Sequence, residues 1–369
     1  EIEAMEQVDL AWNAVAVEMD KGAAADPERL AELEAEFKAA RDRAREFVVS
    51  NEFSKVLEEN GVVGLNASTF FDWTQYYYSL PSNRLELWAR LEGDRLTNPV
   101  LREFYVERDV VYEERRMQES SPMGRMLQDW LGNAFQAHPY GVGGVIGHAS
   151  DLKRITREDA QAFFDKYYVA PNMTIAVVGD VRFSEVKKLA EKYFSGVRSG
   201  PNPPPVRTLE PRHESEVRVI REEDAQPMVL VGYHIPGRRD PQWFAHDLMA
   251  EILGSGRSSR VYKRLVKEDE VAVQAGGGAG FLGNKYATLL IFQALVAKDV
   301  DPADVEASLY DELARFAEEG PTADELQKVK TRARASFVRG LRSNNGLAGE
   351  LAQHDQLMGD WRTLFDTLD

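Results

Sequence analysis

Between residues 199 and 212 the chain reads SGPNPPPVRTLEPR, and four of the five residues from 201 to 205 are proline. Proline locks its own φ, lacks an N–H and holds the preceding residue extended, so neither a helix nor a central strand can run through this stretch. The segment reads as a stiff, extended linker that splits the chain near residue 205. The expected organisation is a first unit over 1–198, a linker over 199–212 and a second unit over 213–369.

Both units mix helices and strands. Residues 1–47 read as two helices, broken at Gly22 and restarted by Asp26-Pro27, an N-cap followed by proline at the first helical position. Val62–Thr69 and Thr74–Leu80 are rich in β-branched and aromatic residues and read as a hairpin ending at Pro81. Amphipathic helices follow over SNRLELWARLEGDRL, around Glu107, and over Met123–Ala137. Thr156, with Asp159 in the capping-box position, opens a helix. Met173–Val178 reads as a buried strand, and Ser184 to Gly196 as another helix. In the second unit, Val217–Val219, Met228–Tyr233 and YATLLIFQALVA read as strands. Helices are expected after Asp240-Pro241, over DPADVEASLYDELARFAEEG and over TADELQKVKTRARASFVRGL. AGGGAG, residues 275–280, reads as a flexible strand end. With no strict βαβ alternation, the fold class is α+β: two repeats, each an antiparallel-rich sheet packed with helices on one side.

The bulk numbers exclude several functions. A net charge of −16 argues against a nucleic-acid binder. No apolar run reaches the ~18 residues of a membrane span. Cysteine is absent, so any metal must be held by histidine and carboxylates. The chain opens inside an amphipathic helical pattern without an initiator methionine, and its second half stops before any counterpart of the helix–strand–helix unit that closes the first. Both features suggest truncation or processing.

The run YVERDVVYEERRM carries Glu107 and Glu114, seven residues apart and therefore on nearly the same side of a helix, in a stripe with Phe104 and Val111. A buried carboxylate without a partner is costly, so such acids are solvated, salt-bridged or metal-bound. Spacing alone favours an acid-rich helix in which Arg108 and Arg115 pair with neighbouring acids, and two glutamates by themselves do not make a functional site.

The wider order of motifs narrows the choice. ERDVVYEERRM, then HPYG, then IGHASDLKRITREDAQAFFDKYYVAPNMTIAVVGDV resembles the pitrilysin/insulinase family of zinc metallopeptidases, the inverted zincins, which includes mitochondrial processing peptidase. NASTFFDWTQYYYSLP looks like that family's substrate-side hairpin, and ILGSGRSSRVYKRLVKEDEVAVQA like its non-catalytic repeat. The resemblance covers nearly everything from Asn51 onward. It implies a zinc endopeptidase that hydrolyses peptides or proteins inside a chamber formed by paired halves. By the same resemblance Glu114 is the third zinc ligand and Glu107 a functionally important acid behind it. Asn66, Ala67, Ser68 and Thr69 would be the edge on which an extended substrate adds a strand.

The departures matter as much. H-x-x-E-H, which supplies two zinc ligands and the general base in the family, is absent; the six histidines are His138, His148, His213, His234, His246 and His354. His138 and His148 read as loop or turn residues. The resemblance would put the missing helix just before the region where this chain starts. The chain as given is then expected to leave a zinc site incomplete and to be inactive. An Arg and a Tyr seven apart in many relatives align with Val266 and Val273, which suggests a homologous partner subunit or a homodimer supplying that pair. The runner-up is a catalytically silent homologue with a structural or assembly role. The helical insertion over residues 1–47 suggests a periplasmic or secreted protein, with the cytoplasm left open.

Overall fold

The computed structural model describes residues 1–366. The first half opens with α1 (Ile2–Met19) and α2 (Pro27–Arg45). Val8, Trp12 and Val15 of α1 meet Leu33, Phe37 and Ala40 of α2, and Tyr105 completes this cluster from outside the hairpin. The Asp26 side chain accepts the N–H groups of Glu28 and Arg29, which is the cap expected of Asp26-Pro27. A short α3 (Glu52–Glu59), for which the sequence offered no clear signal, leads into β1 (Val63–Thr69) and β2 (Thr74–Ser79). These form an antiparallel hairpin pairing Asn66 with Tyr77 and Thr69 with Thr74, with an irregularity between Val63 and Asn66.

Five further helices follow: α4 (Leu85–Thr97), α5 (Phe104–Ser120), α6 (Pro122–Ala134), the single turn α7 (Ala149–Leu152) and α8 (Arg157–Tyr167). The capping box of α8 forms as expected, Thr156 accepting from Asp159 N–H and Asp159 accepting from Thr156 N–H. Next comes α9 (Phe183–Tyr193); it starts at Phe183 without a side-chain cap, so Ser184 lies inside the helix instead of capping it.

Two expected strands do not form. Residues 173–178 and 217–219 run without ladder partners among the described residues. β-Propensity is only a fit to a pleated surface, and a strand needs a neighbour to satisfy its backbone.

The second half builds a fuller sheet. β3 (Met228–Ile235), β4 (Ala272–Ala279) and β5 (Thr288–Val296) pair antiparallel in the order β3-β5-β4. Helix α10 (Trp243–Gly254), the turn α11 (Arg260–Tyr262) with a π-helical continuation over Lys263–Glu268, and α12 (Pro302–Glu319) cover one face. The core there includes Leu253, Val261, Leu265, Phe292, Val305 and Leu309. After α13 (Ala323–Gly340) the chain continues through α14 (Asn344–Met358) to a last turn, α15 (Thr363–Asp366).

The glycine run is not a loose end. Residues 275–279 lie within β4, and a Cβ on Gly277 would stand 2.3 Å from the Ile291 carbonyl oxygen and 2.6 Å from the Phe292 ring. A Cβ on Gly254 of α10 would stand 2.5 Å from Gly277 N, so the bare backbone lets helix and strand meet.

The other face of β5 belongs to the first half. Leu289 and Ile291 pack with Leu131, Phe135 and Tyr140. The Asp72 carboxylate, at the tip of the β1–β2 hairpin, accepts the N–H groups of Asn284 and Lys285 and the Tyr140 hydroxyl. The linker is tied down as well: Glu210 accepts the N–H groups of Gln136, Ala137 and His138, and Val206 donates its N–H to the Tyr286 hydroxyl. Helices therefore pack against small antiparallel sheets, and the second sheet is covered on both faces.

Candidate functional site

Helix α5 turns its buried face differently from the stripe read in the sequence. Tyr105, Arg108 and Arg115 are the buried positions, and Glu107 and Glu114 are exposed. The reason lies in the aromatic hairpin beside it. The Arg108 guanidinium sits 3.9 Å from the Trp12 ring centroid and 5.0 Å from that of Tyr105, and it donates to the Ile155 carbonyl at 3.2 Å. Arg115 donates to the Gly143 carbonyl at 3.1 Å and pairs with Glu119 at 2.9 Å. Long cationic side chains with apolar stems fill much of this interface, and Phe104 packs against the same aromatic cluster. Ion pairing of Arg115 with a neighbour is thus as spacing allowed.

The side-chain carboxylates of Glu107 and Glu114 make no hydrogen bond or ion pair among the described residues. Glu114 lines an open depression of ≈ 630 Å³ with Arg41, Val106, Asp109, Val110, Glu113 and Met117. Val106, Val110 and Met117 are 38%, 56% and 66% exposed, so unpaired acids and bare apolar side chains share one helix face.

β1 lies elsewhere on the first half, and α5 packs on α6 and α7. Asn66, Ala67 and Thr69 are exposed and Ser68 half-buried. Only β2 pairs with β1 among the described residues, so the outer edge of β1 is open. The Ala67 N–H is met only by the Asn66 side-chain oxygen, at 2.8 Å.

The histidines do not gather around α5. His138 is buried; its Nδ1 accepts from Tyr140 N–H at 3.2 Å, capping the turn Pro139–Gly141. Burial holds its pKa below the usual histidine value. His213 and His234 stack edge to face with ring centroids 5.0 Å apart, and burial together with the His213 charge lowers the pKa of His234. Glu210 beside them keeps a pKa below the usual carboxylate value, because the three backbone donors at His138, Ala137 and Gln136 outweigh its desolvation. His354 is buried between the Glu350 carbonyl and the Arg238 guanidinium. His246 lies on α10 against the Gln242 carbonyl, and His148 precedes α7. Among the described residues no group of three or more histidines, aspartates or glutamates is arranged to hold a metal ion. The residues present therefore do not fit a catalytic zinc by themselves. At the two aligned positions in the second half, Val266 packs against the core and Val273 is exposed.

Sequence reasoning missed the joint between the halves. Asp72 captures backbone N–H groups across it and Glu210 ties the linker to the first half, and nothing in a lone acid of a loop or linker announces such a role.

Comparison with known proteins places this arrangement. Residues 154–333 match the family profile described as "Peptidase M16 inactive domain". The zinc protease PqqE of Helicobacter pylori is 28% identical over 312 residues, 83% of this chain and 69% of that protein. The crystal structure of a protease from Helicobacter pylori superposes with a TM-score of 0.78 at 26% identity, covering 88% of this chain and 78% of that one. The periplasmic protease PqqL of Escherichia coli shares the fold at a TM-score of 0.68 and 18% identity, with 86% of this chain and 37% of that one covered. Motif order, matched profile and shared architecture agree: residues 154–333 match the M16 inactive domain, the chain as a whole is similar to zinc proteases in sequence and fold, and it carries no H-x-x-E-H motif.

Proposed function

We propose that this chain is the substrate-binding and third-ligand portion of a zinc endopeptidase, whose two-histidine helix comes from polypeptide outside this sequence. In this reading Glu114 is one metal ligand and Glu107 an acid that orients it. Asn66, Ala67, Ser68 and Thr69 form the edge that receives an extended peptide or protein substrate. The carrying observation is the uncovered face of α5: unpaired Glu107 and Glu114 beside exposed Val106, Val110 and Met117. Apolar side chains grouped beside unpaired acids suit a helix that another helix covers. With at most one family ligand present, the chain alone neither holds catalytic zinc tightly nor hydrolyses peptides. The halves, 1–198 and 213–369 about the 199–212 linker, are read as two homologous repeats. The missing Arg–Tyr pair is read as coming from a homologous partner or a second copy. A periplasmic or secreted setting is in keeping with the name of the Escherichia coli protein, and no helix of the described residues is long and apolar enough to cross a membrane.

Two measurements test this. Metal analysis after zinc loading and gel filtration should find less than one retained equivalent; one tightly held equivalent overturns the incomplete-site reading. An extended peptide should slow hydrogen exchange at amides 66–69, and Ala67→Pro, which removes the N–H that only Asn66 meets, should weaken its binding. Unchanged exchange at those amides removes the substrate assignment.

The second reading is a silent structural or assembly subunit, favoured by the match to an inactive-domain profile. The coding sequence directly upstream decides between them: H-x-x-E-H there supports the peptidase.

A further inference from the structure

Helix α13 carries a charge pattern at odds with the rest of the chain. From Leu326 to Gly349 there are six cations, Lys328, Lys330, Arg332, Arg334, Arg339 and Arg342, and no acid, in a protein of net charge −16. All six are exposed. Arg332 bonds Ser255 and lies 3.9 Å from Glu251. The side chains of the other five make no hydrogen bond or ion pair among the described residues. Beyond Val329, which is buried, the helix lifts off the body: from Lys330 to Gly340 every position is exposed except the half-buried Ala335 and Phe337.

Such a run works against the helix that bears it. Lys328 with Arg332, and Lys330 with Arg334, are like charges one turn apart, which destabilise a helix. Arg339 and Arg342 sit at its C-terminal end, where the helix dipole tolerates them, but the mid-helix cations have no such excuse. An uncompensated cationic strip on an acidic protein is complementary to an anionic partner.

Its position suggests which one. The elbow between α13 and α14 rests on the first half, where a Cβ on Gly179 would stand 3.2 Å from Asn344 Nδ2. α14 runs along β2, the strand paired with β1. Thr174 joins the same contact, its hydroxyl 2.6 Å from Asp355 Oδ2 and 2.6 Å from Gln356 Nε2. The chain that leaves the cationic strip therefore continues, through α14, to the hairpin that carries the proposed peptide edge. Lys328 to Arg342 spans about 20 Å at helical rise, and about six residues of extended peptide cover the same length.

We infer that α13 is a docking surface for an acidic segment of the polypeptide substrate. This rests, for its place in the reaction, on the reading of β1 as the substrate edge. The overall charge of −16 disfavours a long polyanion such as nucleic acid, which the rest of the surface would repel.

The test uses the chain as it stands. Binding of three peptides of equal length, labelled with an uncharged fluorophore, is followed by anisotropy: one carrying a Glu/Asp run, one with Gln/Asn at the same positions, and one with Lys. The acidic peptide should bind at least tenfold more tightly than its Gln/Asn isostere at low salt, and the gap should close as salt screens it. Lys330→Glu/Arg334→Glu, checked for native circular dichroism, should abolish the gap and leave Gln/Asn-peptide binding unchanged. Equal affinity for the acidic and Gln/Asn peptides overturns the inference, as does an undiminished gap in the double variant. Single-stranded DNA of matched charge binding as tightly as the acidic peptide also overturns it, in favour of a general polyanion surface. The two readings fail separately. Loss of protection at amides 66–69 with the charge preference intact removes the β1 assignment alone; protection without a charge preference removes the α13 assignment alone.

Discussion

The two sheets of this protein differ in how many neighbours and how much cover their strands receive. β5 of the second half is flanked on both sides by strands and covered on both faces, by α10 and α12 with their neighbours and by Leu131, Phe135 and Tyr140 of the first half. The β1–β2 hairpin of the first half has two strands and largely exposed side chains, and residues 173–178 near it find no ladder partner. Residues 173–178, MTIAVV, are as apolar and β-branched as a strand needs to be, yet they stay unpaired among the described residues. What differs is the supply of neighbours, and a strand is only as stable as the pairing and cover it receives.

The sharpest way to break this comparison is to cut into both regions. Phe292→Ala, at a ring 1% exposed, should cost about 3–5 kcal/mol. Ile175→Ala, at a side chain 51% exposed, should stay within about 0.5 kcal/mol. Urea unfolding of both variants measures the contrast, and comparable losses would show that the two regions are equally packed.

A finer cut lies within one strand. Gly277→Ala drives a methyl into the Ile291 carbonyl and the Phe292 ring and should cost about 1–3 kcal/mol. Gly278→Ala meets nothing within 4 Å and should be neutral or stabilising by up to about 1 kcal/mol. Equal thermal shifts for the pair would contradict the close packing of Gly277 against Ile291 and Phe292 of β5.

The smallest expected effect comes from acid, and it centres on the second half and the joint. His138, His234 and His354 have pKa values lowered in the fold, first by burial. The unfolded chain takes up protons near the ordinary value of 6.5 while the folded chain still resists. Stability is therefore complete above that pH and declines as pH falls below it. Neighbouring charges modulate this: Glu210 and Asp72 oppose the shift at His138, His213 adds to it at His234, and Arg238 adds to it at His354. A fall in Tm of a few °C between pH 7.5 and 5.5 is expected for a chain of this size. A flat profile would mean that these rings are not held neutral. Below about pH 4.5 the loss should steepen, because Glu325 takes up a proton in the unfolded chain while its hydrogen bond from Arg260 holds it at about 2 in the fold.

Much of the fold was legible in local signals. Asp26-Pro27 and Thr156 with Asp159 marked helix starts that form with the expected caps. Helix boundaries are written locally because backbone hydrogen bonds close within four residues. The strands at 173–178 and 217–219 were misread because pairing is not local, and AGGGAG was misread because close packing across α10 cannot be seen along a chain. The candidate site was legible only through motif order. The spacing of Glu107 and Glu114 put them correctly on one side of α5, but not on its buried side, since Trp12, ninety-six residues before Arg108, recruited that arginine instead.

By itself, then, the sequence determined most of the helices, the caps at Asp26 and Thr156, the break at 199–212, the lack of an H-x-x-E-H motif and the cationic run of α13. Each is a property of neighbours along the chain or of composition. Only the tertiary structure decided which face of α5 is buried, which strands find partners, and that Asp72 clasps backbone N–H groups of the second half while Glu210 clasps those of the first. Those outcomes depend on groups far apart in sequence competing for the same space and the same hydrogen bonds.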